Sequence, residues 1–438
     1  MKVLVITVGG SFEPVVSAVR LHKPDYVFFL CSNDRKSPAH TPGSYHTVDE
    51  EGSPCIDRKG CKHPSIIVQA KLKRSQYEKV LVDKMDNLED CYNASNVTFK
   101  KIRERFPEAQ ICADYSGGTK TMSAGLVVAA LDDESPNLFF MGGERSDLIG
   151  VTDGSQRVVR CDRRPFDWLR RQRVLETLFA KHDYNGCLSL LEGIDTVSGT
   201  DEDYIVQVYL SVAKAFLAWD RFDHSKAYGH LKPYARWFGS EQGFLARIIK
   251  TNAVLGGENA IKPGFSPVHD LLLNAERRMR QGNYDDAVGR IYRALELFAQ
   301  LNLAFRNPSV LTDNVHVEQL PEGIREKYVA LKGRQDKLQI PLTRAYELLC
   351  DLNHPVGLVA MERKPEMLQL LRIRNESILA HGFTPIEEQN AVEFLNFVKR
   401  LVKDGEQAMK INIGLDQALQ FPSAIPDGVW SQKREKEE

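Results

Sequence analysis

The sequence predicts an α/β Rossmann-like N-terminal domain built on a parallel sheet, followed by an all-α C-terminal half. Three observations predict it. Short, nearly continuous apolar runs alternate with helical patterns through residues 1–160; glycine pairs stand where several of those runs end; and strand patterns vanish after about residue 162. At 438 residues the chain has room for two or three domains of roughly 100–200 residues each.

Val3–Val8 and Tyr26–Leu30 are apolar at almost every position, as strands buried on both faces should be. Ser65–Gln69, Gln110–Ala113 and Asn137–Met141 continue the strand series. Helices are expected over Glu13–Leu21, over Ser75–Phe106 in one or two pieces, and over Thr119–Leu131. Strand, helix, strand in this order implies a parallel sheet with helices on both faces. A hairpin of Leu148–Val151 and Gln156–Arg160 closes the region. From Asp162 to about Asp404 the chain reads as helices, broken at Gly256-Gly257, Lys262-Pro263-Gly264, Asn307-Pro308, Pro321-Glu322-Gly323 and Asn353-His354-Pro355. These breaks divide the chain into a sheet domain (1–162), a helical linker domain (163–262), a second helical domain (263–410) and a tail (411–438) whose mixed-charge end is expected to be disordered. Three helix starts look alike: Asp183-Tyr184-Asn185, Arg221-Phe222-Asp223 and Asn283-Tyr284-Asp285. Their spacings of 38 and 62 residues give no fixed period, so they read as recurring N-caps.

Composition excludes several function classes. Lys+Arg 58 against Asp+Glu 59 leaves a formal net charge of -1, so no global basic field holds nucleic acid and any such contact must be local. Eight cysteines in so long a chain lack the density of a disulfide framework. The opening apolar run is too short for a secretory signal, and no stretch approaches the roughly 20 apolar residues of a membrane helix. A cytoplasmic protein with no membrane contact is the expectation.

The first constellation of chemical interest is Asp114-Tyr115-Ser116-Gly117-Gly118-Thr119-Lys120-Thr121, between a predicted strand and a helix rich in small residues. Two glycines permit a tight turn and let a ligand approach the backbone, while the N–H groups of the new helix point outward. Ser116, Thr119 and Lys120 could add donors for a phosphate. The first strand ends in a similar turn, Gly9-Gly10-Ser11, entering the helix of Glu13 and Pro14. Met141-Gly142-Gly143-Glu144-Arg145 offers a third wall. Turns at strand ends of an open parallel sheet sit at its usual ligand crevice. Neither a G-x-G-x-x-G fingerprint nor a Walker A loop is present, which argues against a dinucleotide oxidoreductase or a P-loop ATPase. The competing reading gives the glycines only a packing role.

The second constellation is Arg374-Asn375-Glu376-Ser377-Ile378-Leu379-Ala380-His381-Gly382-Phe383. If the segment is helical, the seven-residue step from Arg374 to His381 returns to within about 20° of the same face. Arg372 would point elsewhere. Asn375 and Ser377 would flank the shared face, and Leu371, Ile378 and Leu379 would be buried. Gly382 would be the C′ residue, leaving His381 in the last turn, where the helix dipole favours an imidazolium. A forked guanidinium suits a phosphate oxygen and an imidazole suits proton transfer, so the pair could cleave an RNA phosphodiester without metal, the ribose 2′-hydroxyl being the nucleophile. An upstream helix, Asn283–Leu303, sets Val288, Ile291, Leu295 and Phe298 on one stripe and Arg290, Arg293, Glu296 and Gln300 off it. It could pack beside the Arg374/His381 segment.

Together, D-Y-S-G-G-T-K-T (114–121) and R-N-E-S-I-L-A-H-G-F (374–383) resemble the CARF-HEPN ribonucleases of type III CRISPR systems, over residues 1 to about 405. The resemblance implies a CARF domain that binds a cyclic oligoadenylate across a homodimer, and a HEPN domain whose two R-x(4–6)-H motifs form one metal-independent site for single-stranded RNA. It implies catalytic Arg374, Asn375 and His381, and ligand-binding Gly9, Gly10, Ser11, Ser116, Gly117, Gly118, Thr119 and Lys120. No cofactor is implied; the activator expected is a tetra-adenylate ring rather than a hexa-adenylate.

The segment Ser32–Pro64 is long for this arrangement and rich in His, Pro and Gly. Its Cys55, Cys61 and His63 match no standard zinc spacing, so a surface or lid loop is expected. Two other functions compete with the ribonuclease. A sensor or ring nuclease would place its chemistry on Ser11, Thr119 or Lys120, with the HEPN half a scaffold. A transcription regulator would need a basic recognition helix, and no clear one is present.

Overall fold

The computed structural model describes residues 1–35, 41–57, 59–133, 135–144, 155–194, 200–255, 264–332, 337–412 and 414–430. The chain divides into two compact units, 1–171 and 172–438.

The first unit contains β1 (Lys2–Val8), α1 (Glu13–His22), β2 (Tyr26–Ser32), β3 (Cys55–Ile56), β4 (Lys62–His63), α2 (Ile66–Ala70), β5 (Tyr77–Val82), α3 (Leu88–Arg105), β6 (Gln110–Asp114), α4 (Lys120–Asp132), β7 (Asn137–Gly142) and β8 (Arg157–Arg160). Six strands form one sheet in the order β5-β2-β1-β6-β7-β8. All neighbours are parallel except β7 and β8. Side chains alternate between the faces of β1. Leu4, Ile6 and Val8 pack with Val15, Val16 and Val19 of α1. Val3 and Val5 pack with Phe99 and Ile102 of α3 and Leu126 and Ala129 of α4. The sheet is covered on both faces, as the apolar runs required.

Two expectations fail here. Ser65–Gln69 is not a strand: Ile66–Ala70 form one helical turn in which only Ile66 is buried, ended by Lys71 at φ 56°. The third parallel strand is instead Tyr77–Val82, inside the segment expected to be helical. It is an edge strand, and edge strands carry charge: Glu78 pairs with Lys101, and Lys79 with Asp49. Those charges disguised it. The expected hairpin partner 148–151 lies outside the described residues. Residues 157–160 pair with β7, Phe140 opposite Val159.

The boundary between the units falls within α5 (Arg164–Ala180). The second unit continues with α6 (Tyr184–Leu191), α7 (Asp201–Asp220), α8 (His224–Leu231), α9 (Gly239–Leu255), α10 (Ser266–Arg280), α11 (Tyr284–Ala304), α12 (Glu322–Lys332), α13 (Leu342–Asp351), α14 (Pro355–Glu362), α15 (Lys364–Asn375) and α16 (Glu388–Ala408). The apolar stripe of α11, Val288, Ile291, Leu295 and Phe298, is fully buried in a core shared with α10, α13, α14, α15 and α16. The three similar helix starts are helix–helix turns of one design. A residue at positive φ (His182 at 58°, Phe222 at 63°, Gly282 at 75°) reverses the chain, and Asp183, Asp223 or Asn283 begins the next helix.

Candidate functional sites

The strand order reverses between β1 and β6, so a crevice opens beyond their carboxyl ends. The turn after β1 (Gly9-Gly10-Ser11) and the turn after β6 (Tyr115–Thr119) meet there. A Cβ on Gly9 would lie 2.9 Å from the Gly118 backbone, and one on Gly117 would lie 2.2 Å from the Thr7 carbonyl oxygen. Gly118 holds φ at 80°, a left-handed conformation. The Thr7 hydroxyl donates to the Gly117 carbonyl at 2.6 Å. The glycines therefore do pack closely, and that packing sets the two turns side by side. Gly10 differs: nothing lies within 4 Å of where its Cβ would be.

Beneath the turns, Asp114 is fully buried. One carboxylate oxygen accepts the backbone N–H of Ser116 at 2.9 Å and also its hydroxyl; the other lies 3.0 Å from His22 Nε2. Ser116 Oγ in turn accepts the Met141 N–H at 2.7 Å. Thr119 Oγ1 accepts the Met122 N–H at 3.2 Å, capping α4, and donates to the Met85 carbonyl at 3.1 Å. Both hydroxyl hydrogens are thus given to the protein, that of Ser116 to Asp114 and that of Thr119 to Met85. The N–H groups of Lys120 and Thr121, which open α4, have no intrahelical acceptor, and the side chains of Ser11 and Lys120 are exposed. Gly142 ends β7 and Gly143 follows it; Arg145 lies outside the described residues.

The insertion after β2 folds against this edge of the sheet. Ser44 Oγ donates to the Val8 carbonyl at 2.7 Å, next to Gly9, and accepts the Ser32 N–H at 2.9 Å. Asp34 accepts from the Gly43 N–H at 2.8 Å and the Tyr45 hydroxyl at 3.0 Å, and lies 3.0 Å from His46 Nε2. The Gly43 bond does most to hold its carboxyl below the usual range. Cys55 and His63 lie opposite each other in the β3–β4 pair, but His63 is bonded to Asp57 at 3.0 Å. Among the described residues no three metal-ligating side chains converge.

In the second unit, α15 ends at Asn375, so His381 is not helical. This overturns the shared-helical-face argument and, with it, the helix-dipole argument. Residues 376–384 form a closed loop instead. Ser377 N–H donates to Arg374 O, Ile378 N–H to Thr384 O, and Gly382 N–H to Ser377 O, each at 3.1 Å. Gly382 is not at positive φ and is no C′ residue. It is required because a Cβ there would lie 1.8 Å from the Glu376 carbonyl oxygen. The expected burial also fails: Leu371 is buried, but Ile378 is 55% exposed, Leu379 67% and Phe383 92%. Ser377, expected on the polar face, is buried.

The loop nevertheless brings the three candidate residues together, with Asn375 as the joint. Its side-chain oxygen accepts from Arg374 Nη1 at 3.0 Å, and its carbonyl accepts the His381 N–H at 3.2 Å. The Arg374 guanidinium lies 4.2 Å from the ring centroid of Tyr292 on α11, a cation–π support. Asn375 and His381 are exposed. On the same helix Arg293 donates to Glu296 and Gln300 at 2.6 and 2.8 Å.

The Csm6 HEPN domain model matches residues 257–404, and the Csm6 6H domain model matches residues 166–239. The chain belongs to the Csm6 family. The expectation drawn from its two motifs is met, and the HEPN match takes in Arg374, Asn375, His381 and Tyr292. A solved structure, Enterococcus italicus Csm6 bound to cyclic hexa-2'-fluoro-hexa-dAMP, is similar to this Csm6-family chain in fold. It covers 100% of this chain and 98% of that one, with 12% sequence identity and a TM-score of 0.58. No curated protein matches the sequence. No helix among the described residues is long and apolar enough to cross a membrane.

Proposed function

We propose that this Csm6-family chain is an accessory endoribonuclease of a type III CRISPR system, switched on by a cyclic oligoadenylate bound at the β1/β6 crevice. The observation that carries the nuclease half is the Asn375 joint, which holds the supported Arg374 guanidinium and the backbone of the exposed His381 at the two ends of one short loop. The ribose 2′-oxygen attacks the adjacent phosphorus as its proton leaves. The bond from phosphorus to the 5′-oxygen breaks, and that oxygen takes up a proton. His381 moves a proton and Arg374 stabilises the charge that gathers on the phosphoryl oxygens. No step requires a metal. The apolar side chains of Ile378, Leu379 and Phe383 beside His381 favour coverage by a second copy, which would pair two such loops into one site.

Ligand binding shifts the balance between inactive and active dimers only insofar as the ring binds the active one more tightly. The crevice suits an anionic ring because its donors are backbone N–H groups at a helix start. A ring-nuclease reading is disfavoured by the Thr119 hydroxyl, which is bonded inward.

The test is RNA cleavage with EDTA present, across tetra- and hexa-adenylate rings. Cleavage should require one of the rings, and His381→Ala should abolish it while ring binding persists. Normal cleavage by His381→Ala would overturn the assignment.

A further inference from the structure

Three helix–helix turns of the second unit gather at one place. Between the α5–α6 turn and the α10–α11 turn lies a cleft of about 650 Å³, lined in part by Lys181, His182, Asn185, Asp220, Arg278 and Arg280. Its acids are already engaged. Asp183 accepts the Gly186 N–H and so caps α6, and Asp220 is held by Arg277 and Arg278. Lys181 and Arg280 have no ion-pair partner among the described residues, and both are exposed. Arg221, from the α7–α8 turn, reaches the edge of the cleft by donating to Asn185 at 3.1 Å. The buried Arg278 Nε has no hydrogen-bond partner. His182 is buried and stays neutral near pH 7: desolvation, then the charges of Arg277 and Arg280, push its pKa down to about 4. The cleft thus has an excess of cationic donors.

Its position matters as much as its charge. Asn283 of the cleft wall precedes α11, and Tyr292, which supports Arg374, stands about 13 Å along that helix. The chain leaving the His381 loop docks on the first turn of the same helix, the Ile386 N–H donating to Asp285 at 3.0 Å. Cleft and loop are thus joined through the N-terminal part of α11.

We propose that this cleft binds phosphodiester groups of the RNA strand whose scissile bond lies at the Arg374/His381 loop, through Lys181, Arg280 and Arg221. The inference rests on the nuclease reading for the identity of that strand. In the full-length protein, Lys181→Ala/Arg280→Ala removes two unpaired cations and leaves no acid orphaned. Anisotropy of a labelled long single-stranded RNA should show affinity about tenfold weaker than wild type, with a salt dependence shallower by about 1.4 in log–log slope, about 0.7 per lost contact. In activated enzyme KM for the long strand should rise with kcat unchanged, and cleavage of a trinucleotide should be unaffected. Equal affinity and equal slope would overturn the cleft proposal, as would equal losses on long and short substrates. A wild type that cuts no RNA would overturn the nuclease reading instead, and the anisotropy would still decide whether the cleft binds RNA.

Discussion

Gly10 and Gly117 sit at the mouth of one crevice, yet their surroundings demand different outcomes when each is replaced by alanine. At Gly117 a Cβ would meet the Thr7 carbonyl oxygen at 2.2 Å and Val15 Cγ2 at 2.9 Å. Ordinary contact begins beyond 3 Å, so the turn must move by about an ångström. Overpacking costs about 1–3 kcal/mol, and the Thr7–Gly117 hydrogen bond, which such a shift breaks, adds about 1 kcal/mol. A total of about 2–4 kcal/mol lowers the melting temperature of a unit this size by about 5–15 °C. At Gly10 the space is empty and φ is not left-handed, so alanine should change stability by less than about 0.5 kcal/mol. Only a ligand can meet the new methyl. Calorimetric titration with cyclic oligoadenylate, paired with thermal melts, separates the two. Gly117→Ala should lose both melting temperature and affinity, whereas Gly10→Ala should keep its melting temperature and lose about tenfold in affinity, near 1.4 kcal/mol. Wild-type affinity in Gly10→Ala would place the ligand elsewhere, and an unshifted melt in Gly117→Ala would refute the packing account.

Tyr292→Leu removes the ring under Arg374, an interaction worth about 0.5–1 kcal/mol at a partly exposed site. RNA cleavage should slow about 2–5-fold, with Tyr292→Phe close to wild type; equal losses in both would assign the effect to the hydroxyl. His182 is neutral in the folded protein because burial holds its pKa down to about 4, while the unfolded chain takes up a proton below 6.5. Its contribution to stability is therefore flat above pH 6.5 and is lost as pH falls from 6.5 towards 4. The loss amounts to about 2 kcal/mol between pH 7 and pH 5. Urea unfolding of wild type and His182→Asn at the two pH values isolates that difference, which should be much smaller in the variant.

The parts of the fold that were legible in the sequence were those in which one physical demand acted alone. β1, β2, β6 and β7 are apolar because both faces of the sheet are covered, and the α11 stripe has helical period because one side of that helix is core. β5 was not legible, because an edge strand answers to solvent as well as to its neighbour and so carries Glu78 and Lys79. At the crevice the residue types and their place in the chain were readable, but the direction of the Ser116 and Thr119 hydroxyls was not. That direction depends on Asp114, Met141 and Met85, which meet the turn only after folding. Tyr292 was missed for the same reason: it lies far from Arg374 in sequence, and no periodicity marks it as a support.

The loop carrying His381 gives the six-residue spacer a different physical meaning from the one helical periodicity suggests. In a helix the separation would work because seven residues nearly complete two turns, and any good helix former could fill the spacer. Here α15 stops at Asn375 and the chain returns, so the separation works because it is a loop length that ends beside its own start. The return depends on Gly382, whose Cα lies so close to Glu376 that an added Cβ would fall 1.8 Å from its carbonyl oxygen. Gly382→Ala should therefore open the loop and pull the His381 backbone away from Asn375, cutting RNA cleavage at least tenfold. The melting temperature should hardly change, because the loop contributes little beyond Ser377 to the core. If Gly382→Ala cleaves like wild type, loop closure is not what positions the imidazole; if it loses stability together with activity, the loop belongs to the folding core and the division between the two is wrong.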